Sequence, residues 1–417
     1  MKVRTIWVAL VVGALAVAAM TAGAASSAPT KRAANNLTVW LQVDAQSGWP
    51  GVVSAATAAF QKQHPGVTVN VQYQNWGTHL GKFDATLAGG NTPDVIEMGN
   101  TEMTKYMAAG AFQDLTSAKS SFDNSNTWLE GLAASGRYSG KLYGVPYYAG
   151  SRVVTYRTDQ YKAAGIKSTP KSLTQFTADA AKLSKKYGKK GYSPVYIAGT
   201  DWYVAMGFVY DYGGKIATQV SGKWKGLLES PKAIAGLTAY KNFYAAASKA
   251  SKTTDENRPT PYSVYADGNA GSIVGPGWFS CCVGDKYKNS TGQFVMPSHE
   301  AGKSMPGFLG GSDLAVPIGA NKQLGADWIA AFTSTASEKA FQAAGNIPNA
   351  TNLLNTNKVG ERAALRSWFV PAAKNWVNVE NGNILRTMLS QILTGKLSVK
   401  QAAATADNNI EYTLNAS

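Results

Sequence analysis

Cysteine is nearly absent from this chain of 417 residues, which contains only the two neighbours Cys281 and Cys282. The paired spacing of zinc-binding cysteines therefore does not occur. Neither cysteine directly follows the N-terminal apolar segment, which predicts export without a lipid anchor. In an exported protein the two thiols can form a vicinal disulfide. Adjacent Cα atoms lie about 3.8 Å apart, below the usual disulfide range, so two buried thiols are an equal alternative.

Catalytic motifs are also missing. The chain has only three histidines and contains no H-E-x-x-H metal-peptidase pattern, no G-x-S-x-G nucleophile elbow and no G-x-x-x-x-G-K-[ST] phosphate loop. A glycosidase needs only two carboxylates, which can lie far apart in sequence, so that class stays open. The sequence predicts no metal and no cofactor, and we expect a binding protein rather than an enzyme.

Long apolar runs are absent after the first residues. Lys2 and Arg4 precede an apolar run over residues 6–20, and small residues follow it around Ala24 and Ala28. This order is typical of a secretory signal peptide. We assign residues 1–25 to the signal and 26–36 to a polar leader, which predicts a periplasmic or cell-surface protein. The alternative is an uncleaved anchor, but the run is short for a membrane span.

Acidic residues are outnumbered, and the formal net charge is +15. Removing Lys2 and Arg4 with the signal leaves +13 (15 − 2). A basic protein can bind nucleic acid, anionic lipid or an acidic wall polymer, and export argues against nucleic acid. Most lysines are scattered, and the one cluster, which we interpret as a solvated helix face, consists of Lys182, Lys185, Lys186, Lys189 and Lys190.

Strand and helix patterns alternate along the remaining chain. Residues 37–41 and 67–73 have strand patterns, and each precedes a segment with helical spacing. Ser172, Ser230 and Ser398 are placed to start helices. Such alternation predicts an α/β protein with parallel sheets covered by helices, in which ligands bind beyond the carboxyl ends of strands. The length exceeds one comfortable hydrophobic core, so we expect two lobes.

Seven short blocks occur in a characteristic order. They are FQKQHPGVTV (60–69), Trp76, LAGGNTPDV (87–95), GNT (99–101), GKLYGVPY (140–147), GPGW (275–278) and GGSDLAVP (310–317). Together they resemble the family 1 extracellular solute-binding proteins of sugar importers, over nearly the whole mature chain. The segments DWY (201–203), GGSD (310–313) and IPN (347–349) make it most similar to the members that bind N-acetylglucosamine oligomers such as chitobiose.

The resemblance implies a two-lobed periplasmic-binding-protein fold of type II, with a cleft that closes on the ligand. Lobe one would comprise residues 37–147 plus 311–345, and lobe two residues 148–310 plus 346–417. The chain would cross between lobes near Pro146, Gly310–Gly311 and 345–348. It further implies a monomer that binds a mono- or oligosaccharide and delivers it to the membrane permease subunits of an ABC importer. The alternative is a secreted carbohydrate-active enzyme or a free polysaccharide-binding protein.

Tryptophans are the first candidates for the sugar site. Indole faces carry negative charge density and stack on the C–H face of a pyranose. We expect Trp202, Trp278 and Trp376 to line the cleft, with Trp49 and Trp76 as further candidates. Ordinary packing is the alternative for each of them. Sugar hydroxyls need polar partners at the ring edge, and four residues in or beside the blocks have suitable side chains: Asn100, Arg152, Ser312 and Asp313.

Overall fold

We describe a computed structural model of the chain that covers residues 35–416, apart from the side chain of Cys281. The predicted signal peptide and most of the predicted leader lie outside the described residues. Cys282 is disulfide-bonded, but the pairing with Cys281 falls on a side chain outside the described set and stays a prediction. Within residues 35–416, no helix is long and apolar enough to span a bilayer.

The described part contains thirteen strands and sixteen α-helices. The strands are β1 (Asn36–Gln42), β2 (Thr68–Gln74), β3 (Val95–Gly99), β4 (Arg137–Tyr138), β5 (Lys141–Leu142), β6 (Gly144–Arg157), β7 (Ser193–Tyr196), β8 (Ala217–Val220), β9 (Lys223–Gly226), β10 (Ala270–Pro276), β11 (Thr291–Phe294), β12 (Gly307–Ala315) and β13 (Ser367–Trp368). The helices are α1 (Val43–Gly48), α2 (Pro50–Gln63), α3 (His79–Gly89), α4 (Met103–Ala108), α5 (Glu130–Ser135), α6 (Thr158–Ala163), α7 (Leu173–Tyr187), α8 (Trp202–Asp211), α9 (Pro231–Ala247), α10 (Pro261–Ala266), α11 (Lys322–Phe332), α12 (Thr335–Ala343), α13 (Val359–Ala364), α14 (Trp376–Asn381), α15 (Ile384–Thr394) and α16 (Val399–Leu414).

Helices begin where the sequence predicts them to begin. The Ser230 side chain accepts a hydrogen bond from the Ala233 amide, and Pro231 occupies the first helical position of α9. Ser398 and Gln401 form a reciprocal capping box at the start of α16. These side chains satisfy amide groups that have no partner inside the helix.

One nine-stranded sheet connects the two lobes, with the path β2-β1-β3-β12-β6-β10-β7. Strand β11 pairs with β6, and β13 pairs with β12. The alternation of strands and helices predicts parallel pairing, which is found for β1–β2, β1–β3 and β10–β7. Two strands depart from the expected parallel pairing, since β6 and β12 run antiparallel to their neighbours. These two strands carry the chain between the lobes in opposite directions.

Strand β6 belongs to both halves of the sheet. Its residues 144–151 pair with β12, and its residues 152–156 pair with β10. Strand β12 approaches it closely at Gly311, where an added Cβ would lie 2.1 Å from the Tyr148 carbonyl oxygen. Only glycine fits such a close backbone approach. The exact lobe boundaries given above stay a prediction.

Each lobe has its own hydrophobic core. In lobe one, β1, α2 and α11 bury Val39, Phe60 and Trp328 together. In lobe two, α7, α8 and α9 bury side chains such as Phe176 and Phe208 around the other half of the sheet. Each core excludes water separately. A smaller apolar cluster, which includes Leu132, Leu309 and Ala364, packs beside the strands that join the lobes.

Asp313 of β12 is fully buried, although the sequence suggests it as a sugar ligand. Neither of its carboxylate oxygens has a hydrogen-bond partner in the described structure. The neighbouring Ser135 hydroxyl donates to the Leu132 carbonyl. Burial raises the pKa of Asp313 to about 7. A raised pKa means that the folded state holds a proton that the unfolded state releases near pH 4, so this contribution to stability is lost as pH rises from 4 to 7.

We therefore predict that Asp313→Asn removes part of the pH dependence of stability. Relative to the parent protein, the variant should gain about 2–4 kcal/mol of unfolding free energy between pH 4 and pH 8. Urea unfolding at several pH values measures this difference. Asp285→Asn is the control, because the Asp285 side chain is 98% exposed. Parallel stability curves for the parent and Asp313→Asn would contradict the prediction.

Candidate ligand-binding cleft

The largest cavity described lies between the lobes and has a volume of about 980 Å³. Residues from lobe one, lobe two and the predicted crossing at residues 345–348, called the crossing segment below, all contribute to its wall. They are Asp44, Gly48, Trp49, Trp76, Tyr148, Gly277, Trp278, Ser280, Gln293, Ala344, Gly345, Asn346, Ile347, Lys358, Val359, Gly360 and Glu361. This volume falls within the range of small-molecule sites, which combine apolar walls with a few placed polar groups.

Trp76 is held in a defined orientation on the lobe-one side. It follows β2, and its indole N–H donates a hydrogen bond to the Asp44 carboxylate. Its ring packs edge-on against His79 at a centroid distance of 5.2 Å. The Trp76 side chain is 37% exposed, so it presents indole surface to the cavity. A fixed, partly exposed ring of this kind suits stacking on a sugar.

A buried histidine supports Trp76 from behind. His79 Nδ1 lies 3.0 Å from the Trp76 carbonyl oxygen, and Nε2 lies 2.9 Å from Glu102 Oε2. The same Glu102 oxygen accepts a hydrogen bond from the Gly99 amide at 2.8 Å. Burial lowers the pKa of His79, but the Glu102 hydrogen bond and charge outweigh it, so the net shift is upward. This pairing favours the imidazolium form and ties Trp76 to the end of β3.

Trp278 extends from the lobe-two side and is 54% exposed. It follows β10 in the short 3-10 helix Gly277–Cys282. Tyr262 and Phe279 pack beside its ring, with centroid distances of 5.9 and 4.7 Å. The Gln293 amide donates to the Gly277 carbonyl at 2.7 Å, which fixes the turn that carries the indole. Exposure of a large aromatic ring inside a cavity indicates a binding surface.

Trp49 and Tyr148 form the aromatic floor near the crossing segment. Their ring centroids are 5.1 Å apart, and the Trp49 side chain also packs against Tyr147. Trp49 is only 9% exposed, and its indole N–H has no hydrogen-bond partner in the described structure. A buried donor without a partner is costly, so a bound ligand or water there would be stabilised.

A buried carboxyl group lies beneath this floor. Glu97 of β3 accepts a hydrogen bond from the Gln42 amide at 2.7 Å. Burial raises the pKa of Glu97 to about 7, although the hydrogen bond from Gln42 opposes the shift, and the nearby Asp44 charge adds to it. Gln42 ends β1, two residues before Asp44, so Glu97 helps to fix the backbone that positions the cavity carboxylate.

Trp202 and Trp376, expected to line the cleft, are instead in the core of lobe two. They are 3% and 1% exposed, and their ring centroids are 6.1 Å apart. The Trp376 indole N–H donates to Glu380, and burial, helped by Glu102 of lobe one, raises the pKa of Glu380 to about 7. The polar sequence around Trp376 belongs to a short helix whose inner face is buried, so neither indole has a free face for a sugar.

The four polar candidates do not line the cavity either. Asn100 is buried and donates to the Leu309 carbonyl at 2.8 Å, which joins β3 to β12. Ser312 is buried against Tyr148, with 3.4 Å between the hydroxyl oxygens. Asp313 is buried as described above. The Arg152 guanidinium stacks on Tyr203 at 4.1 Å from the ring centroid. These residues stabilise the sheet and its surroundings rather than the wall of the cavity.

Several wall residues were not expected from the sequence, chiefly Asp44, Tyr148, Gln293 and Asn346. The sequence could have identified Asp44 as a candidate, because it follows the strand pattern at 37–41 and ligands bind beyond the carboxyl ends of strands. Trp76 and Trp278 follow β2 and β10 in the same way. The described residues contain no group of three or more His, Cys, Asp or Glu side chains able to hold a metal ion.

Residues 55–366 match the model of the bacterial extracellular solute-binding proteins. The chain belongs to this family. It is also 32% identical over 376 residues to the diacetylchitobiose binding protein DasA of Streptomyces coelicolor. The aligned region covers 87% of this chain and 86% of that protein. A putative binding protein of Brucella abortus is 25% identical over 227 residues, or 52% of each chain.

Solved structures show the same fold at lower identity. The GacH receptor of Streptomyces glaucescens has a TM-score of 0.73 and 19% identity, with 91% of this chain and 98% of that chain covered. The sugar-binding protein MalE of Xanthomonas citri has a TM-score of 0.77 and 19% identity, with 91% and 97% covered. At such identity the likeness establishes the two-lobed α/β architecture.

We predict opposite effects for two tryptophan substitutions. Trp278→Ala should weaken sugar binding by roughly 1–3 kcal/mol, on the scale of base–aromatic stacking, and should hardly change the melting temperature because the ring is half exposed. Trp202→Ala should destabilise the fold by about 3–5 kcal/mol with little change in affinity at low temperature. Titration calorimetry and thermal unfolding separate the two effects. The reverse pattern would mean that the site lies elsewhere.

We further predict that Asp44 acts partly through Trp76. Asp44→Ala removes the hydrogen bond that orients the indole and should weaken binding about tenfold, the size of one net hydrogen bond. Asp44→Asn keeps an acceptor oxygen and should lose much less. Equal losses in both variants, measured by calorimetry, would show that the negative charge itself matters rather than the orientation of the ring.

Proposed function

We propose that this protein binds a mono- or oligosaccharide in the cleft between its lobes and serves as the substrate-binding component of an ABC-type sugar importer. The observation that carries the proposal is the cavity of about 980 Å³ with the rings of Trp49, Trp76, Tyr148 and Trp278 in its wall. Aromatic faces suit the C–H surfaces of sugars, and the amides of Gln293 and Asn346 suit their hydroxyls.

The proposed ligand class is an N-acetylglucosamine oligomer such as chitobiose. The relative named for diacetylchitobiose binding supports it, because it matches most of both chains. A disaccharide with neutral acetamido groups also agrees with the chemistry of the wall. Of the charged wall residues, Lys358 and Glu361 pair with each other at 3.3 Å, and Asp44 accepts the Trp76 hydrogen bond.

We propose that the cleft carries out no chemistry on the sugar. The cavity carboxylates are Asp44 and Glu361. Glu361 is buried and accepts hydrogen bonds from the Gln342 side chain and the Asn355 amide, so it is engaged in the fold. Glycoside hydrolysis needs two carboxyl groups free to act on opposite sides of one bond. We further propose that the protein works as an exported monomer without a lipid anchor.

A panel of sugars tests this function. Chitobiose, chitotriose, maltose and N-acetylglucosamine are compared by thermal shift and then by calorimetry. A ligand at about 100 times its dissociation constant adds about 2.7 kcal/mol of stability, and we expect this for an N-acetylglucosamine oligomer bound at 1:1. The sugar should be recovered intact after long incubation. Hydrolysis would favour the enzyme alternative, and stabilisation only by long polymers would favour a free polysaccharide-binding protein.

A further inference from the structure

The end of lobe two opposite the cleft is defined by strand register. Strand β10 runs from Ala270 at the far end to Pro276 at the cleft, where Gly277 enters the cavity wall. Ala270 pairs with Ser193, the first residue of β7. A strand of seven residues spans roughly 23 Å. Whatever lies at the start of β7 is therefore well separated from the ligand cavity.

Lysines are concentrated at this far end. Lys162 lies on α6, directly after β6 ends, and Lys189 and Lys190 lie in the turn just before β7. Lys249 is fixed there because its amide donates to the Ser193 hydroxyl at 2.9 Å. The C-terminal end of α7, which precedes the turn before β7, contributes Lys185 and Lys186. The distal lysine patch consists of Lys162, Lys185, Lys186, Lys189, Lys190 and Lys249.

All six lysines are exposed. Lys182, the remaining member of the sequence cluster, pairs with Asp179 at 3.0 Å and is not included. Over residues 35–416, the ammonium groups of the patch form no ion pair and no hydrogen bond. The nearby Asp159 already forms an ion pair with Arg157 at 2.6 Å. Asp267 is exposed near the start of β10 and offsets one charge. The patch therefore keeps a concentrated positive charge.

We propose that the distal lysine patch binds the surface of an anionic lipid bilayer. Uncompensated like charges repel one another, so a surface of opposite charge relieves that repulsion. Lysine ammonium groups are compact, strongly hydrated point charges, which suit a diffuse layer of headgroups. The patch contains no arginine, whose planar fork suits the bidentate binding of individual phosphates.

A bilayer fits this geometry better than a single anionic polymer chain. The six lysines come from three separate parts of the chain, α6, the α7–β7 junction and the end of α9. A broad surface can contact all three at once. Since the patch lies opposite the cleft, bilayer binding leaves the cavity open to solvent. The proposal does not depend on which ligand the cleft binds.

Vesicle co-sedimentation of the secreted protein tests the proposal. Vesicles of phosphatidylglycerol and phosphatidylcholine are compared with vesicles of phosphatidylcholine alone, at low and high salt. The test variant carries Lys185→Gln, Lys186→Gln, Lys189→Gln and Lys190→Gln. The control carries Lys62→Gln, Lys322→Gln, Lys339→Gln and Lys400→Gln, which removes the same charge from exposed lysines elsewhere. Melting temperatures and sugar thermal shifts verify that both variants fold.

We expect the parent and the control to bind only the anionic vesicles, with binding lost at high salt. The patch variant should lose roughly 10²–10³-fold in partitioning, at about five-fold for each lysine. Equal losses in the two variants would overturn the proposal, because net charge alone would then explain the binding. Binding of the parent to soluble polyphosphate but not to anionic vesicles would also overturn it. Neither result would affect the sugar assay, so the two proposals fail separately.

Discussion

The pairing of β6 with β12 on one side and β10 on the other is the constraint on which the rest of the molecule depends. A single strand of 14 residues forms hydrogen bonds in both lobes, so the two cores are built around one continuous backbone. The close approach of Gly311 to Tyr148 keeps β12 in contact with β6 within their paired stretch. Tyr148 of this strand is also part of the cavity wall, so the same residues connect the lobes and form the cleft floor.

The cavity depends on side chains that are positioned by polar groups, some of them buried. Asp44 orients Trp76, His79 supports it from behind, and Glu102 links His79 to the end of β3. Glu97 fixes the backbone before Asp44 in a similar way. Burying a charged group is costly unless the group is paired. Here the polar contacts also restrict the rotation of an aromatic ring that lies partly exposed in the cavity wall. Rigid rings lose less conformational entropy when a ligand binds.

The sequence was sufficient to predict the family, the two-lobed α/β fold and helix starts such as Ser230 and Ser398. Local hydrogen bonds determine those starts, so short-range patterns reveal them. The antiparallel course of β6 and β12 could not be predicted in this way, because it depends on how the chain returns between lobes. Among the tryptophans, Trp376 is buried although its neighbours in sequence are polar, because its short helix buries one face. Position after a strand was the better signal, since it applies to Asp44, Trp76 and Trp278 alike.

The location of these three residues has a consequence for how such a protein can change over evolutionary time. Each lies in a connection just beyond a strand, where insertions and substitutions alter the surface without disturbing a core. Strand β6 has less freedom, because an insertion of one residue would turn every later side chain to the opposite face unless a bulge absorbed it, like the register shift opposite Ser312 and Asp313. These wall positions can therefore change separately from the strands that join the lobes, whereas Tyr148 of β6 belongs both to the wall and to a joining strand. Substitutions and insertions at the strand ends can therefore reshape the cavity wall while the strands that join the lobes keep their length.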